Sequence, residues 1–464
     1  MDPRDETLNL PSLMVSISGV RGVVGPALNA EVACRLASAF GTWAPPGPIV
    51  VGRDSRPSGP MLRHAVVGGL LSTGHDVVDL GLATTPTTEI LVTTHSASGG
   101  VILTASHNPE PWNALKLLSR TGLFLSQAEG DAVMAIEREG RAVHVRWDEV
   151  GTLAEDAGAA EVHIRSILEL PWLDRERVAA RQMHAVVDCT NGAGGVVVPE
   201  LLRRLGLRVT ELHCEPTGRF GRRPEPTPAN LGDLAGRVRE LHADVGFATD
   251  PDVDRLGVVA ETGEALFEEY TLALAADFLL AKQKGPVVVN LSTTSAMDDV
   301  CRKHGVPLFR TPVGEANVVA EMLRVGALIG GEGNGGVILP ALHAGRDALV
   351  GMALILQSLA ESGRRVSELY ADLPNYRMIK RSVTLTRPVG DAELQEMARS
   401  EFGPPADTTD GVKVTLPEGW IHLRRSNTEP IVRAIAECPS LPAAEALVER
   451  ALRRLGGLAE LQRR

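Results

Sequence analysis

The chain has 464 residues, which is too long for one hydrophobic core and predicts about three or four domains. Apolar residues make up 44% and aromatic residues only 3%, so the cores must be mainly aliphatic. The net charge is −11 and no long basic run occurs, so we expect no nucleic-acid partner. The chain has neither a signal-peptide pattern at its start nor an apolar stretch of membrane-spanning length. We therefore expect a cytoplasmic protein with no membrane partner.

A pattern of strand, polar turn, helix, glycine and second strand occurs three times. The first strands of these repeats are residues 49–51, 185–187 and 287–289, and the second strands include residues 76–78, 207–209 and 306–308. Continuous β-branched runs of this kind are typical of strands buried on both faces of a sheet. The sequence therefore predicts three tandem, similar α/β domains with mixed, mainly parallel sheets.

The last part of the chain has a different pattern. Strand-like alternation at residues 380–385 precedes a helical stretch at 391–400, and strands at 411–416 and 420–423 precede a final helix after Pro442. This order predicts a smaller C-terminal α+β domain. We expect domains at residues 1–156, 157–260, 261–373 and 374–464, arranged around a central cleft that binds a ligand.

The first motif with chemical potential is TASHNP at residues 104–109. It follows a short apolar run, which would place Ser106 at the carboxyl end of a sheet, where α/β folds bind ligands. His107 beside it could assist proton movement. The alternative is a turn in which the serine and asparagine bond to the local backbone, and this motif alone favours that alternative.

The second motif is DPDVDR at residues 250–255. Its carboxylates, on Asp250, Asp252 and Asp254, would repel one another unless a cation offsets their charge. Hard oxygen ligands suit Mg²⁺. A solvated acidic turn is the alternative, but Pro251 and the apolar run before the motif favour a magnesium site.

Two further motifs offer polar groups to a ligand. In GGEGNGG at residues 330–336, the glycines allow close backbone approach, and Glu332 and Asn334 suit sugar hydroxyls. In RRSNTEP at residues 424–430, arginines and small hydroxyl residues supply charge-assisted donors for a phosphate. A ligand-free glycine turn and a solvated surface turn are the respective alternatives.

Together these four motifs resemble the α-D-phosphohexomutase family, which includes phosphoglucomutases, phosphomannomutases and phosphoglucosamine mutases. The resemblance extends from SGVRG at residues 18–22 to Arg433, and the motifs occur in the family order. It implies that Ser106 carries a phosphoryl group and completes a Mg²⁺ site with Asp250, Asp252 and Asp254. The implied reaction interconverts hexose 6-phosphate and hexose 1-phosphate through a hexose 1,6-bisphosphate.

The resemblance also implies roles for other residues. Arg21 and Arg255 would lie near the reacting phosphate, and Lys116 would help proton transfer. The implied substrate contacts are Glu332, Asn334, Arg424, Ser426, Asn427, Thr428 and Arg433. The GEGNGG form resembles archaeal-type phosphoglucosamine mutases, which makes phosphoglucosamine mutase the expected activity. Phosphomannomutase or phosphoglucomutase activity is the alternative, and we expect a monomer or homodimer.

The sequence departs from the family pattern in the GGEGNGG motif, which the resemblance identifies as the sugar-binding loop. Many members end that loop in Ser-Gly-His, whereas this chain has Asn334-Gly335-Gly336, so the resemblance does not identify the general acid or base. A serine-dependent phosphatase is a more distant alternative, although adjacent residues such as Ser106 and His107 rarely form a catalytic triad. A scaffold protein without activity is disfavoured by the intact serine, aspartates and arginines.

Overall fold

The computed structural model describes residues 13–16, 19–385, 387–404, 407–425 and 431–458. The chain packs as two compact units. Unit one comprises Met1–Thr271 and Asn334–Ser367, and unit two comprises Leu272–Gly333 and Glu368–Arg464. Among the residues described, no helix combines the length and apolar character that crossing a membrane requires.

Unit one begins with a mixed seven-stranded sheet. Its strands are β1 (Met14–Ser16), β2 (Gly19–Val23), β3 (Ile49–Arg53), β4 (Val77–Leu82), β5 (Gly99–Leu103), β6 (Trp112–Ser119) and β7 (Leu153–Glu155), in the order β1-β2-β6-β5-β3-β4-β7. Strand β3 is parallel to β4 and β5, whereas β6 is antiparallel to β5 and β2. Lys116 on β6 pairs with Ile102 on β5. Lys116 therefore lies on the strand next to the one that leads to Ser106.

Five helices accompany this sheet. They are α1 (Ala30–Trp43), α2 (Gly59–Leu71), α3 (Thr85–Thr94), α4 (Gln127–Arg138) and α5 (Ala159–Leu168). Side chains that accept hydrogen bonds from the first-turn amides fix several of their starts. Asn29 caps α1 and Thr84 caps α3, and Ser126 and Glu129 form a capping box at α4.

The second sheet of unit one has the order β11-β10-β8-β9. The elements of this region, in chain order, are α6 (Arg175–Ala180), β8 (His184–Asp188), α7 (Val198–Arg204), β9 (Arg208–Leu212), α8 (Gly232–Leu241), β10 (Val245–Thr249) and β11 (Leu256–Ala260). Strand β8 is parallel to β9 and β10, and β10 is antiparallel to β11. The acidic motif is therefore the tight connection between β10 and β11.

Unit two contains a group of parallel strands in the order β13-β12-β14. The chain continues through α9 (Glu269–Lys282), β12 (Val287–Asn290), α10 (Ala296–His304), β13 (Leu308–Thr311), α11 (Glu315–Val325) and β14 (Ile329–Glu332). The strand that we expected at 306–308 begins only at Leu308, directly after Pro307, whose nitrogen carries no hydrogen to donate.

The chain then returns to unit one. This segment forms β15 (Gly336–Leu339), β16 (His343–Arg346) and α12 (Ala348–Ser362), and α13 (Val366–Ala371) follows. Strands β15 and β16 pair antiparallel.

The final part of unit two is an antiparallel sheet in the order β17-β20-β19-β18. Its elements are β17 (Arg377–Thr384), α14 (Asp391–Phe402), β18 (Val412–Leu416), β19 (Gly419–Arg425), β20 (Ile431–Cys438) and α15 (Leu441–Leu458). The expected α+β character is confirmed, and α14 and α15 share a core with the sheet. The domain boundaries at 156, 260 and 373 stay predictions.

A buried ionic cluster inside unit one joins four of its elements. Asp347, which caps α12, accepts hydrogen bonds from His163 on α5 and His343 on β16 at 2.9 and 3.3 Å. Glu89 on α3 lies 3.2 Å from the other ring nitrogen of His343. Burial alone would lower the pKa of His343, but the two carboxylates raise it to about 10.

This pKa predicts that stability falls as the pH rises above neutral. A histidine whose pKa is raised by folding contributes fully below its unfolded pKa of about 6.5, and the contribution is lost as the pH approaches 10. We expect His343→Gln to remove this pH-dependent part of the free energy of unfolding, whose slope is at most about 1.4 kcal/mol per pH unit. Thermal midpoints measured from pH 6.5 to 10 should fall more steeply for the wild type than for the variant. Parallel curves would contradict the prediction.

Candidate active site

Ser106 sits in a strained turn directly after β5. Its φ angle is +48°, a left-handed conformation that is uncommon for a residue with a side chain. Its amide donates to the Thr104 hydroxyl oxygen at 3.0 Å, and that hydroxyl donates to Asp54 at 2.6 Å. Ser106 as a whole is only 8% exposed, and these bonds fix the turn so that its side chain points toward the acidic motif.

Arg56 anchors the loop that carries Ser106. Its side chain is fully buried, and its Nε donates to Asp54 at 2.9 Å. Its two terminal nitrogens donate to four main-chain carbonyl oxygens of the loop. These acceptors belong to Ser106, Asn108, Pro109 and Trp112, at 2.6, 2.7, 2.6 and 3.0 Å respectively. Arginine suits this position because its fixed fork carries five donors.

The acidic motif places three fully buried carboxylates on one short loop. Asp250, Asp252 and Asp254 each have one carboxylate oxygen that lies within 4.8 Å of the corresponding oxygens of the other two. Ser106 Oγ donates to Asp250 Oδ2 at 2.8 Å, which joins the serine to this group. Val253 takes a φ of +67°, a strained value for a β-branched residue that turns the loop tightly.

Different elements of unit one supply partners to these carboxylates. Asp252 accepts hydrogen bonds from Lys116 Nζ and the Thr85 hydroxyl, both at 2.7 Å. Asp254 Oδ2 accepts a hydrogen bond from Arg346 at 2.5 Å. Even so, Asp252 Oδ1 and Asp254 Oδ1 are buried and have no hydrogen-bond partner among the described residues.

The electrostatics of the group fit a bound cation. Burial, together with the charges of Asp254 and Asp252, raises the pKa of Asp250 well above its usual value. Burial would also raise the pKa of Asp252, but Lys116 holds it below the usual range. Two buried carboxylate oxygens of this cluster receive no hydrogen bond. Such oxygens, within a group of three carboxylates, are ligands that suit Mg²⁺. These residues could therefore hold such an ion.

Comparison with known proteins places this site in a family. Models of the phosphoglucomutase/phosphomannomutase family match four successive segments, covering alpha/beta/alpha domains I, II and III and the C-terminal domain. The matched residues are 14–143, 161–263, 268–376 and 379–454. The chain belongs to the phosphoglucomutase/phosphomannomutase family. The resemblance inferred from the four motifs is thereby confirmed.

Individual relatives of this family align over nearly the whole chain. A phosphoglucomutase/phosphomannomutase from Thermococcus kodakarensis is 37% identical over 93% of this chain and 96% of its own length. A "probable phosphoglucosamine mutase" from Methanopyrus kandleri is 38% identical over 93% of this chain and 95% of its own length. A family protein of known crystal structure from Burkholderia thailandensis matches with a TM-score of 0.82 and 27% identity, over 97% of this chain and 100% of that one.

The structure brings together most of the expected catalytic residues of the phosphohexomutase motifs. Arg255 donates to Glu225 at 2.7 Å, and its Nε lies 3.8 Å from Asp254. Arg21 lies 3.4 Å from the Asn108 side chain of the serine loop. His107 Nδ1 lies 3.4 Å from Ser106 Oγ, and burial with the nearby arginines lowers the pKa of His107 to about 2. The imidazole is therefore neutral at physiological pH in this arrangement.

The expected substrate contacts are divided between the two units. Asn334 belongs to unit one, where its side chain accepts a hydrogen bond from the Gly336 amide at 3.2 Å. In unit two, Glu332 accepts from Asn290 at 2.9 Å, and Arg424 donates to Asp410 at 2.8 Å. Arg433 lies opposite Arg424 on the neighbouring strand. Ser426, Asn427 and Thr428 lie outside the described residues.

Three residues that hydrogen-bond to the motif residues were not expected from the sequence. Arg56, Thr85 and Arg346 lie outside the four motifs, and each contacts a motif residue that is distant in the chain. Only Arg56 had a visible signal, because an Asp-x-Arg sequence directly follows a strongly apolar strand. Nothing local distinguishes Thr85 or Arg346 from an ordinary polar residue.

We expect Arg56→Met to destabilise unit one by about 3–5 kcal/mol, because it leaves Asp54 and four carbonyl groups without their buried donor. Arg56→Lys should lie between the wild type and Met, since lysine has three donors. Thermal unfolding measures the effect. Arg35→Met is the control, because Arg35 is half exposed in its ion pairs and should cost less than about 1 kcal/mol. Equal midpoints for the Arg56 and Arg35 variants would refute the anchoring role.

Proposed function

We propose that this chain is a phosphohexomutase that interconverts hexose 6-phosphate and hexose 1-phosphate through a phosphoserine at Ser106 and a hexose 1,6-bisphosphate. The observation that carries the proposal is the contact between Ser106 Oγ and Asp250, which joins a serine in a strained turn to three buried carboxylates. Phosphoryl transfer depends mainly on positioning and charge stabilisation, and this arrangement supplies both.

The proposed reaction has two balanced transfers. In the first, the oxygen of a free sugar hydroxyl bonds to the phosphorus on Ser106 and loses its proton, while the bond from phosphorus to the serine oxygen breaks and that oxygen keeps the electrons and takes up a proton. In the second, the bisphosphate turns end for end, and Ser106 Oγ bonds to its other phosphorus and loses a proton, while the sugar oxygen of the broken bond keeps the electrons and takes up a proton. The sugar leaves with one phosphate, and the phosphoserine is restored.

Unit one supplies the groups for this transfer. The oxygens of Asp250, Asp252, Asp254 and Ser106 would hold Mg²⁺, which when bound supplies positive charge against the transferring phosphoryl group. Lys116 holds Asp252 and remains charged, since its carboxylate neighbours raise its pKa although burial alone would lower it. Arg21, Arg255 and His107 are proposed to orient the transferring group.

The substrate's distal end requires a second set of contacts. We assign the sugar hydroxyls to Glu332 and Asn334, because carboxylate and amide groups can bind hydroxyls in a specific orientation. The phosphate that does not react is assigned to a loop rich in arginine and hydroxyl groups. Its proposed members are Arg424, Ser426, Asn427, Thr428 and Arg433.

The favoured sugar is glucosamine phosphate. The relative from Methanopyrus kandleri and one from Pyrococcus horikoshii, 36% identical, are both named probable phosphoglucosamine mutases. The relative from Thermococcus kodakarensis named phosphoglucomutase/phosphomannomutase, 37% identical, makes glucose and mannose phosphates the alternatives. An assay of the purified protein with Mg²⁺ and a trace of bisphosphate against the three hexose phosphates separates these sugars.

We expect Ser106→Ala to lower turnover by on the order of 10³-fold or more, because it removes the atom that carries the phosphoryl group. Ser166→Ala is the matched control, since Ser166 only bonds to the main chain within α5 and should leave activity unchanged. Conversion of hexose 1-phosphate to hexose 6-phosphate is the measurement. Wild-type turnover in the Ser106 variant would contradict the proposal. Inorganic phosphate released in step with substrate loss would identify a phosphatase instead.

A further inference from the structure

Arg346 joins the hairpin β15–β16 to the acidic motif. Its side chain is almost buried, with the whole residue 8% exposed, and its Nη2 donates to Asp254 Oδ2 at 2.5 Å. The residue belongs to none of the four motifs. Like Lys116, it donates a hydrogen bond to a carboxylate of the motif.

The backbone on both sides of Arg346 is fixed. Arg346 pairs with Ile338 across the hairpin, and the next amide, that of Asp347, donates to Val337 O at 2.8 Å. Asp347 then caps α12, and the amide of Ala348 donates to Val253 O inside the acidic motif at 3.1 Å. The arginine therefore projects from a rigid support that is bonded to the motif it serves.

Gly336 provides the space through which Arg346 reaches Asp254. A Cβ atom at position 336 would lie 2.3 Å from Arg346 Cδ and 3.0 Å from Cγ. Any larger residue would therefore displace the arginine side chain. The glycine and the arginine are therefore structurally linked.

The contact determines which oxygen of Asp254 is available to a cation. Arg346 occupies Oδ2, whereas Oδ1 is buried without a hydrogen-bond donor. When a fixed guanidinium holds one oxygen of a carboxylate, the direction of the other oxygen is fixed as well. Replacing a group that orients a metal ligand in this way typically lowers metal affinity about 10–100-fold.

We propose that Arg346 is a positioning residue for the metal site, which orients Asp254 through the gap left by Gly336. This inference rests on the proposed Mg²⁺ site of the mutase. The competing explanation is that Arg346 only neutralises charge. The two explanations predict effects of opposite sign, because removing a mere counter-charge would make the site more negative and tighten cation binding.

The test is calorimetric titration of the full-length protein with Mg²⁺, which reads metal binding without reference to turnover. We expect Arg346→Met to weaken Mg²⁺ binding by about 10–100-fold. Arg346→Lys should recover part of the loss. Arg63→Met is the control, because Arg63 pairs with buried Asp79 elsewhere in unit one and should leave the affinity unchanged.

A second variant leaves the arginine in place. Gly336→Ala should weaken Mg²⁺ binding because the added methyl displaces Arg346, whereas Gly68→Ala, with open space around its Cβ position, should have no effect. In a double-mutant cycle, adding Gly336→Ala to Arg346→Met should cause no further loss. This variant also keeps the inference testable if Arg346→Met does not fold.

Unchanged or tighter Mg²⁺ binding in Arg346→Met, or additive losses in the double variant, would overturn the inference. Its failure is distinguishable from failure of the metal site itself. If the wild type binds no Mg²⁺, the proposed metal site is wrong. If the wild type binds Mg²⁺ and the Arg346 and Gly336 variants bind it equally well, only the positioning role is wrong.

Discussion

Three carboxylates buried on one short loop repel one another, and the surrounding structure of unit one compensates for that repulsion. Lys116 comes from an antiparallel strand of the first sheet, Thr85 from the start of a helix, and Arg346 from a hairpin. Ser106 donates to Asp250 from the end of another strand. Separate elements must therefore converge on the loop before its charge can be tolerated, and a cation would complete the compensation.

Backbone strain accompanies this arrangement at two positions. Ser106 and Val253 both adopt left-handed conformations without being glycine, and such strain persists only where the surroundings enforce it. Arg56 holds the serine loop through four carbonyl oxygens, and the amide of Ala348 holds Val253. The site thus places its reactive oxygen and its carboxylates on rigid supports, which suits a reaction that depends on positioning.

The sequence predicted those parts of the site that depend on local pattern. The sequence shows a serine after one apolar strand and aspartates at alternate positions after another, and this pattern predicts that both lie at strand ends. The structure places Ser106 beside Asp250. The long-range partners were not predictable, because the pairing of Arg346 with Asp254 depends on how a hairpin packs against a loop some ninety residues earlier. Strand β6 was also missed, since its buried run around Lys116 resembles a generic apolar stretch.

The proposed mechanism depends on Ser106 as the carrier of the phosphoryl group that the sugar receives. Mass spectrometry of the chain after treatment with a hexose 1,6-bisphosphate that carries ¹⁸O-labelled phosphoryl groups, and again after one turnover with unlabelled hexose monophosphate, tests this role. The proposed mechanism predicts one labelled phosphoryl group on Ser106, which one turnover moves to the sugar while an unlabelled phosphoryl group from the substrate replaces it on Ser106. Absence of phosphate on Ser106, or its departure as inorganic phosphate, would contradict the account.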